Sequence, residues 1–223
     1  MTATVVSAPP KSVHHSVSWW VGQIALFALL WASLLRLPTP PSTDLDPSWQ
    51  MAMGYAAHHD LQHGRDIVFT YGPLGYYFRS SSYMGELFGP YLTWQILSNL
   101  VIAAVFYAFG RTLSLRRQAL YYAYLFCFGT GFADAMHMNL IAILALVLLR
   151  RREAQRPGWL AAAAGIMAVL SLVKFTNLML CVFVVGALAV YYLLQRQRTA
   201  AAVLLGGFVA VFLAGWFGCG GSL

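Results

Sequence analysis

Acidic residues and histidines are concentrated in one polar segment of the chain, from Asp44 to Phe78. Of the seven acidic residues in the protein, four lie in this segment, together with three of the six histidines. Carboxylates next to an apolar span can act as general bases or hold a divalent cation. We therefore expect this segment to carry the chemistry of the protein.

The pair Asp44 and Asp46 follows the first apolar run almost directly. Either carboxylate could serve as a general base, and the pair could also hold a divalent cation. The structural alternative is a helix N-cap, because Asp46 stands before Pro47 and proline favours the first helical position. Both roles can hold at once, since a capping aspartate is rigidly placed. No further metal ligand has a defined spacing, so we predict no metal and no other cofactor.

A helix lying along the membrane surface is predicted from Pro47 to about Gln62, with Trp49, Met53 and Ala56 or Ala57 on one face. His59 and His63 are four residues apart and could bind a transition metal on such a helix. Gly64 would end the helix close to His63, and no third ligand is placed. We therefore interpret these histidines as interfacial or solvated.

The second half of the segment combines charged residues with an aromatic run. The functional interpretation is a lid over a lipid-linked ligand, in which the arginines meet phosphate groups. The alternative is an aromatic belt with glycine and proline turns, in which the arginines pair with Asp66 or Glu86. The residues assigned to substrate binding under the first interpretation are Arg65, Asp66, Tyr71 and Arg79.

Two further polar positions interrupt the apolar remainder of the chain. Asp134 and His137 are three residues apart, and one could orient the other. Ionisable groups at membrane depth are costly and usually paired or functional. Lys174 follows a later apolar run; it either extends to the membrane interface or holds a phosphate. We include all three in the predicted substrate site.

Composition determines the class of protein. The 223 residues are 60% hydrophobic and only 9% charged, far from the roughly 25% charged residues of soluble domains. The apolar runs are long and continuous, which favours an all-α, polytopic transmembrane protein over a β-barrel. The net charge of +7 comes mostly from short basic clusters between spans, so we predict no nucleic-acid partner.

About seven spans are predicted, and the third to fifth of them are short. They are Trp19–Leu37, Pro90–Phe109, Gln118–Phe132, Met138–Leu149, Trp159–Val173, Leu178–Leu194 and Thr199–Phe217. With the N-terminus in the cytoplasm, most arginines fall on the cytoplasmic side, as the positive-inside rule requires. Residues 1–18 are then a cytoplasmic tail, 19–217 the transmembrane domain with external loop 38–89, and 218–223 a short end typical of a truncated chain.

The external loop resembles that of GT-C integral-membrane glycosyltransferases, in particular bacterial relatives of protein mannosyltransferases and aminoarabinose transferases. Three parts carry the resemblance: the acidic pair Asp44 and Asp46, then Gly64-Arg65-Asp66, then Gly72-Pro73-Leu74. The Asp-Glu pair of that family stands here as Asp-Leu-Asp, so either aspartate fits. The chain matches only the N-terminal module of such enzymes.

The resemblance implies transfer of a sugar from a polyprenyl-phosphate donor to a membrane or cell-envelope acceptor, on the non-cytoplasmic face of a bacterial inner membrane. Asp46 or Asp44 would be the base, and Lys174, Arg65 or Arg79 would steady the lipid phosphate. The alternative function is a non-enzymatic lipid-binding or transport protein, or an inactive assembly partner. Transporters place charges at mid-membrane, whereas these acids lie mainly in a loop.

Overall fold

The computed structural model describes residues 17–38, 42–78, 85–150 and 156–219, so the predicted site residue Arg79 lies outside the described part. Every regular element within these ranges is helical. The elements are α1 (Val17–Leu34), α2 (Leu45–His58), α3 (Gly75–Phe78), a 3-10 turn (Gly85–Leu87), α4 (Phe88–Gly110), α5 (Leu115–Tyr124), a π-helical turn (Leu125–Gly129), α6 (Ala133–Arg150), α7 (Pro157–Ser171), α8 (Phe175–Leu194) and α9 (Arg198–Gly218).

Four helices are long and apolar enough to cross a membrane: α1, α4, α8 and α9. Helix α7 is apolar but shorter, at 15 residues. Large apolar side chains remain exposed on these helices, such as Phe183 at 73% and Leu194 at 78%, as expected of surfaces that face lipid. The all-α class is thus confirmed for the described residues, and the four apolar helices are compatible with an integral membrane protein, while the count of seven spans stays a prediction.

The helices pack as two groups joined by α6. Helices α7, α8 and α9 pack against one another, α1 packs on α4, and α6 contacts α4, α7 and α8. The interior between them is filled by large side chains that are fully buried, among them Leu30, Phe106, Leu140, Met167 and Tyr192. Small residues of α7 and α9 allow close approach, since a Cβ on Gly207 would contact Ala164.

Long-range hydrogen bonds define two ends of this bundle. At one end, which we call the loop end, Lys174 bonds to Asp134 and the Phe175 amide bonds to Thr70. At the other, which we call the arginine end, the Tyr192 hydroxyl donates to the Leu148 carbonyl near the ends of α8 and α6. The loop end therefore carries residues 42–78, the start of α6 and the turn between α7 and α8.

Several helix bounds differ from the predicted spans. The predicted span Gln118–Phe132 is an amphipathic helix, α5, that continues into a π-helical turn. The predicted turn around Asp134 is already the first turn of α6, and the break at Lys174 is shorter than predicted because α8 begins at Phe175. The starts of α6 and α8 are both earlier in the chain than predicted, and the tertiary contacts at Asp134 and Lys174 accompany this difference.

Candidate functional site

The two aspartates at the start of α2 have different positions from those predicted. The N-cap is Asp44, with extended backbone at φ −64° and ψ 158°, and Asp46 lies in the first turn of the helix. The prediction that Asp46 is the N-cap is therefore wrong; its carboxylate instead lies near the positive end of the helix dipole. Both side chains are exposed. Asp44 Oδ2 accepts a 2.6 Å hydrogen bond from Ser42 Oγ.

Asp46 is held by the aromatic residue one turn further along α2. The Trp49 indole donates a 2.9 Å hydrogen bond to Asp46 Oδ1. The Trp49 ring also stacks on Tyr71, with ring centroids 4.5 Å apart and an interplanar angle of 21°. Trp49 therefore links the first carboxylate of α2 to the segment that follows the helix.

This later segment is fastened to the turn between α7 and α8 by backbone hydrogen bonds. The amides of Gly72 and Leu74 donate to the carbonyls of Val173 and Leu172, and the Phe175 amide donates to Thr70. A Cβ on Gly72 would overlap the Leu172 carbonyl oxygen. The Gly72-Pro73-Leu74 motif is thus a docking element for the α7–α8 turn.

Docking brings Tyr71 against Lys174 and Asp134. Lys174 Nζ lies 2.7 Å from Asp134 Oδ2 and 4.9 Å above the centre of the Tyr71 ring. The Lys174 side chain is 19% exposed and that of Asp134 36%. Burial lowers the pKa of Lys174, but hydrogen bonds with Asp134 and Tyr71 raise it, and the net effect is upward. The pair therefore keeps the ammonium group charged in a half-buried position.

Three predicted site residues are thus joined with Asp46 into one continuous series of contacts. It runs from Asp46 through Trp49 and Tyr71 to Lys174 and Asp134. The members come from α2, the segment after it, the α7–α8 turn and the start of α6. A carboxylate and a cation connected through stacked aromatic rings can bind a ligand that has both a hydroxyl and an anionic group.

His137 lies one turn below Asp134 on α6, at 2% exposure. Its Nδ1 is 3.1 Å from Asn177 Nδ2 of α8, so the ring accepts at Nδ1 and a neutral imidazole carries its proton on Nε2. Asn177 is fully buried, and its Oδ1 has no hydrogen-bond partner among the residues that the structure describes. The polar site therefore continues inward from the ion pair between α6 and α8.

An apolar groove opens beside Tyr71. Its volume is about 490 Å³, and its walls come from residues 63–72, the start of α8 and the last turns of α9. Aromatic rings form much of the lining, including Phe69, Phe175, Phe212 and Trp216. A long apolar chain could lie here with its polar end toward Lys174.

The remaining predicted residues are less closely involved. Arg65 is 73% exposed, and its Nε lies 3.9 Å from Asp66 Oδ1, so the predicted alternative of pairing with Asp66 is realised loosely. Asp66 Oδ2 also accepts a 3.0 Å hydrogen bond from the backbone N–H of Gln62, and this bond closes the turn before Ile67.

The alternative in which His59 and His63 share a helix face does not hold. Our interpretation of the histidines as interfacial or solvated fits the exposed His58 and His59 but is wrong for His63, which is buried. Helix α2 ends at His58, and Asp60, with φ at 52°, turns the chain away. His59 Nδ1 lies 2.9 Å from the Tyr55 carbonyl oxygen, whereas His63 is buried and forms a bridge with Ile67. Within the described ranges, no three His, Cys, Asp or Glu residues come together as metal ligands do.

Polar residues that the sequence analysis did not single out stabilise the same end of the bundle. The Arg36 guanidinium donates to the Thr130 carbonyl. Gln95 and Asn99, four residues apart on α4, bond to each other and cap the end of α1 through the Leu34 carbonyl. Two amides spaced by one turn in an apolar span could have indicated this contact.

Comparison of the chain with family models, with curated proteins and with solved structures found no match. The arrangement of the site therefore rests on the contacts described above.

Proposed function

We propose that this chain is the N-terminal module of a GT-C-like membrane glycosyltransferase, acting at the loop end on a polyprenyl-phosphate sugar. The observation that carries the proposal is the series of contacts from Asp46 to Lys174 beside an apolar groove. It combines a carboxylate base, a fixed cation and room for a prenyl chain. The resemblance of the loop to GT-C enzymes supports the same function.

The proposed roles follow from position. Asp46 takes the proton from an acceptor hydroxyl as that oxygen attacks the anomeric carbon, and the bond from this carbon to the phosphate oxygen breaks. Lys174 stabilises the negative charge left on the departing lipid phosphate. Asp134 holds Lys174 in place until the phosphate arrives. Asp44 is the alternative base, and the exposure of both aspartates leaves space for the acceptor.

The proposal extends to topology and location. We propose that the bundle has seven spans in a bacterial inner membrane, with the N-terminus and the arginine end in the cytoplasm. One cysteine introduced at Gln62 or at Ser114, in a chain with Cys127→Ala and Cys219→Ala that keeps the buried Cys181, tests the orientation with a membrane-impermeant maleimide. We expect Gln62→Cys to react in intact cells and Ser114→Cys only after permeabilisation; the reverse pattern would invert the topology.

The enzymatic test uses membranes that contain the full chain, supplied with polyprenyl-phosphate hexose or pentose labelled in the sugar. We expect release of free polyprenyl phosphate, and a fall of about 100-fold or more in Asp46→Asn, the usual cost of losing a general base. Asp60→Asn is the matched control, because Asp60 is an exposed aspartate of the same loop outside the contact series. Wild-type rates in Asp46→Asn, with loss in Asp44→Asn, would transfer the role of base to Asp44.

A non-enzymatic lipid transporter is the second candidate. Two observations favour it: the α7–α8 break beside Lys174, and the buried His137–Asn177 pair between α6 and α8. Broken helices and intramembrane polar pairs are typical of transporters. If a labelled polyprenyl phosphate crosses the membrane of vesicles that contain the protein, and Asp46→Asn does not change the rate, lipid transport is favoured over sugar transfer.

A further inference from the structure

A second groove lies at the arginine end, far along the helices from the site described above. It has a volume of about 230 Å³ and lies between α4, α6 and α7. Its walls are apolar, with Phe109, Val147, Leu148 and Trp159 among the lining residues. Trp159 is 65% exposed at the first turn of α7, the position that tryptophan prefers at a membrane interface.

Two arginines lie three residues from residues that line this groove. Arg150, the last residue of α6, is three residues after Val147 and so lies on the same helix face. Arg156 is the N-cap of α7, three residues before Trp159. Both are exposed, and neither forms an ion pair with any acidic residue that the structure describes.

Among the residues that the structure describes, no acidic side chain lies at this end of the bundle. The described aspartates are at the loop end, in residues 42–78 and at the start of α6. Arg111, just after the end of α4, donates to two neutral groups, Gln23 Oε1 and the Tyr107 hydroxyl, and lies over the Trp19 ring. An apolar groove with a cationic mouth is complementary to a molecule with an apolar chain and an anionic head.

We propose that this groove binds an anionic phospholipid of the bilayer, with an acyl chain between α4, α6 and α7 and the phosphate at Arg150 and Arg156. A second copy of the chain in the groove would bring arginines of both copies together, which like-charge repulsion opposes. The lipid also supplies the charge that the described residues lack. This site is separate from the proposed catalytic site and does not depend on it.

The test uses the purified full chain in mixed micelles that contain equal amounts of phosphatidylglycerol and phosphatidylcholine with identical acyl chains. Bound lipid is counted by native mass spectrometry. We expect retained phosphatidylglycerol to exceed phosphatidylcholine, and the ratio to fall about fivefold for each of Arg150→Gln and Arg156→Gln. Arg198→Gln, an exposed arginine of the same end outside the groove, should leave the ratio unchanged.

A second variant separates the groove from general surface charge. Ala162 lines the groove and is exposed, so Ala162→Phe should fill it and reduce retention of both lipids. Ala104→Phe, at an exposed position of α4 that does not line the groove, should not. An equal ratio in the wild type, or equal loss in Arg198→Gln and Arg150→Gln, would overturn the proposal. So would full retention in Ala162→Phe, provided that gel filtration shows each variant to be folded and monodisperse.

Discussion

Lys174 at the loop end and Arg150 at the arginine end are both cations at the terminus of an apolar helix, yet their surroundings differ. Lys174 is 19% exposed, lies 2.7 Å from Asp134 and is covered by the Tyr71 ring. Arg150 is exposed, and no carboxylate among the described residues pairs with it. Within the described part of the chain, one cation is paired with a carboxylate and the other is not.

This difference extends to the backbone. At the loop end, the backbone of residues 70–74 forms hydrogen bonds with the α7–α8 turn, at Leu172, Val173 and Phe175. At the arginine end, the long-range hydrogen bonds between described residues all involve side chains, such as those from Tyr107 to Gln23 and from Tyr192 to Leu148. A rigid, internally paired end suits a site that must place reacting groups. An end whose described long-range bonds involve only side chains is more open and suits contact with lipid headgroups.

The largest effect on stability should come from Gly72→Ala. The new Cβ would overlap the Leu172 carbonyl oxygen, and backbone on both sides leaves no flexible side chain to move. We expect the free energy of unfolding to decrease by about 2–3 kcal/mol. This corresponds to a fall of about 5–10 °C in the melting temperature of the purified protein.

Gly89→Ala is the matched control, because a Cβ there meets nothing within 4 Å. Its melting temperature should stay near the wild-type value. If Gly72→Ala melts with the control, residues 70–74 do not dock on the α7–α8 turn as described. The comparison between a rigid and an open end would then lose its main support.

A smaller effect is expected from removing the cations themselves. Lys174→Met leaves the Asp134 carboxylate without its 2.7 Å partner. Because that carboxylate is partly exposed, we expect the free energy of unfolding to fall by about 1–2 kcal/mol, which is less than for a fully buried pair. Arg150→Met should change the free energy of unfolding by less than about 0.5 kcal/mol. Thermal melts of both variants in one detergent test the contrast directly, and equal effects would contradict it.

The sequence predicted the features that depend on local pattern. Apolar runs located α1, α4, α8 and α9 to within a few residues, because a membrane span needs a continuous apolar segment. The predicted apolar face of α2 is buried at Met53 and, of the two alternatives Ala56 and Ala57, at Ala56. Gln50, which was predicted to lie elsewhere, is buried with them.

Features that depend on distant residues were not predictable. The bonds that join Gly72 and Leu74 to the α7–α8 turn cross about a hundred residues and leave no local pattern. The positions at which α6 and α8 begin, Ala133 and Phe175, also depend on distant residues, since Asp134 and Lys174 near these positions pair with each other. Asp44 rather than Asp46 became the N-cap because the helix begins before the proline, at Leu45.

The smallest expected effect concerns acidity at the loop end, where His63 is buried beside the groove. Burial lowers the pKa of His63 below its usual value near 6.5. At pH values below about 6.5, the unfolded chain binds a proton at His63 more readily than the folded chain does. The contribution of the neutral His63 to the free energy of unfolding is therefore complete above pH 6.5 and decreases as the pH falls. We expect the melting temperature of the wild type to fall between about pH 8 and about pH 5 more steeply than that of His63→Gln. His58→Gln, at an exposed position of α2, should keep the wild-type slope; identical slopes for all three proteins would show that His63 titrates alike in the folded and unfolded chains.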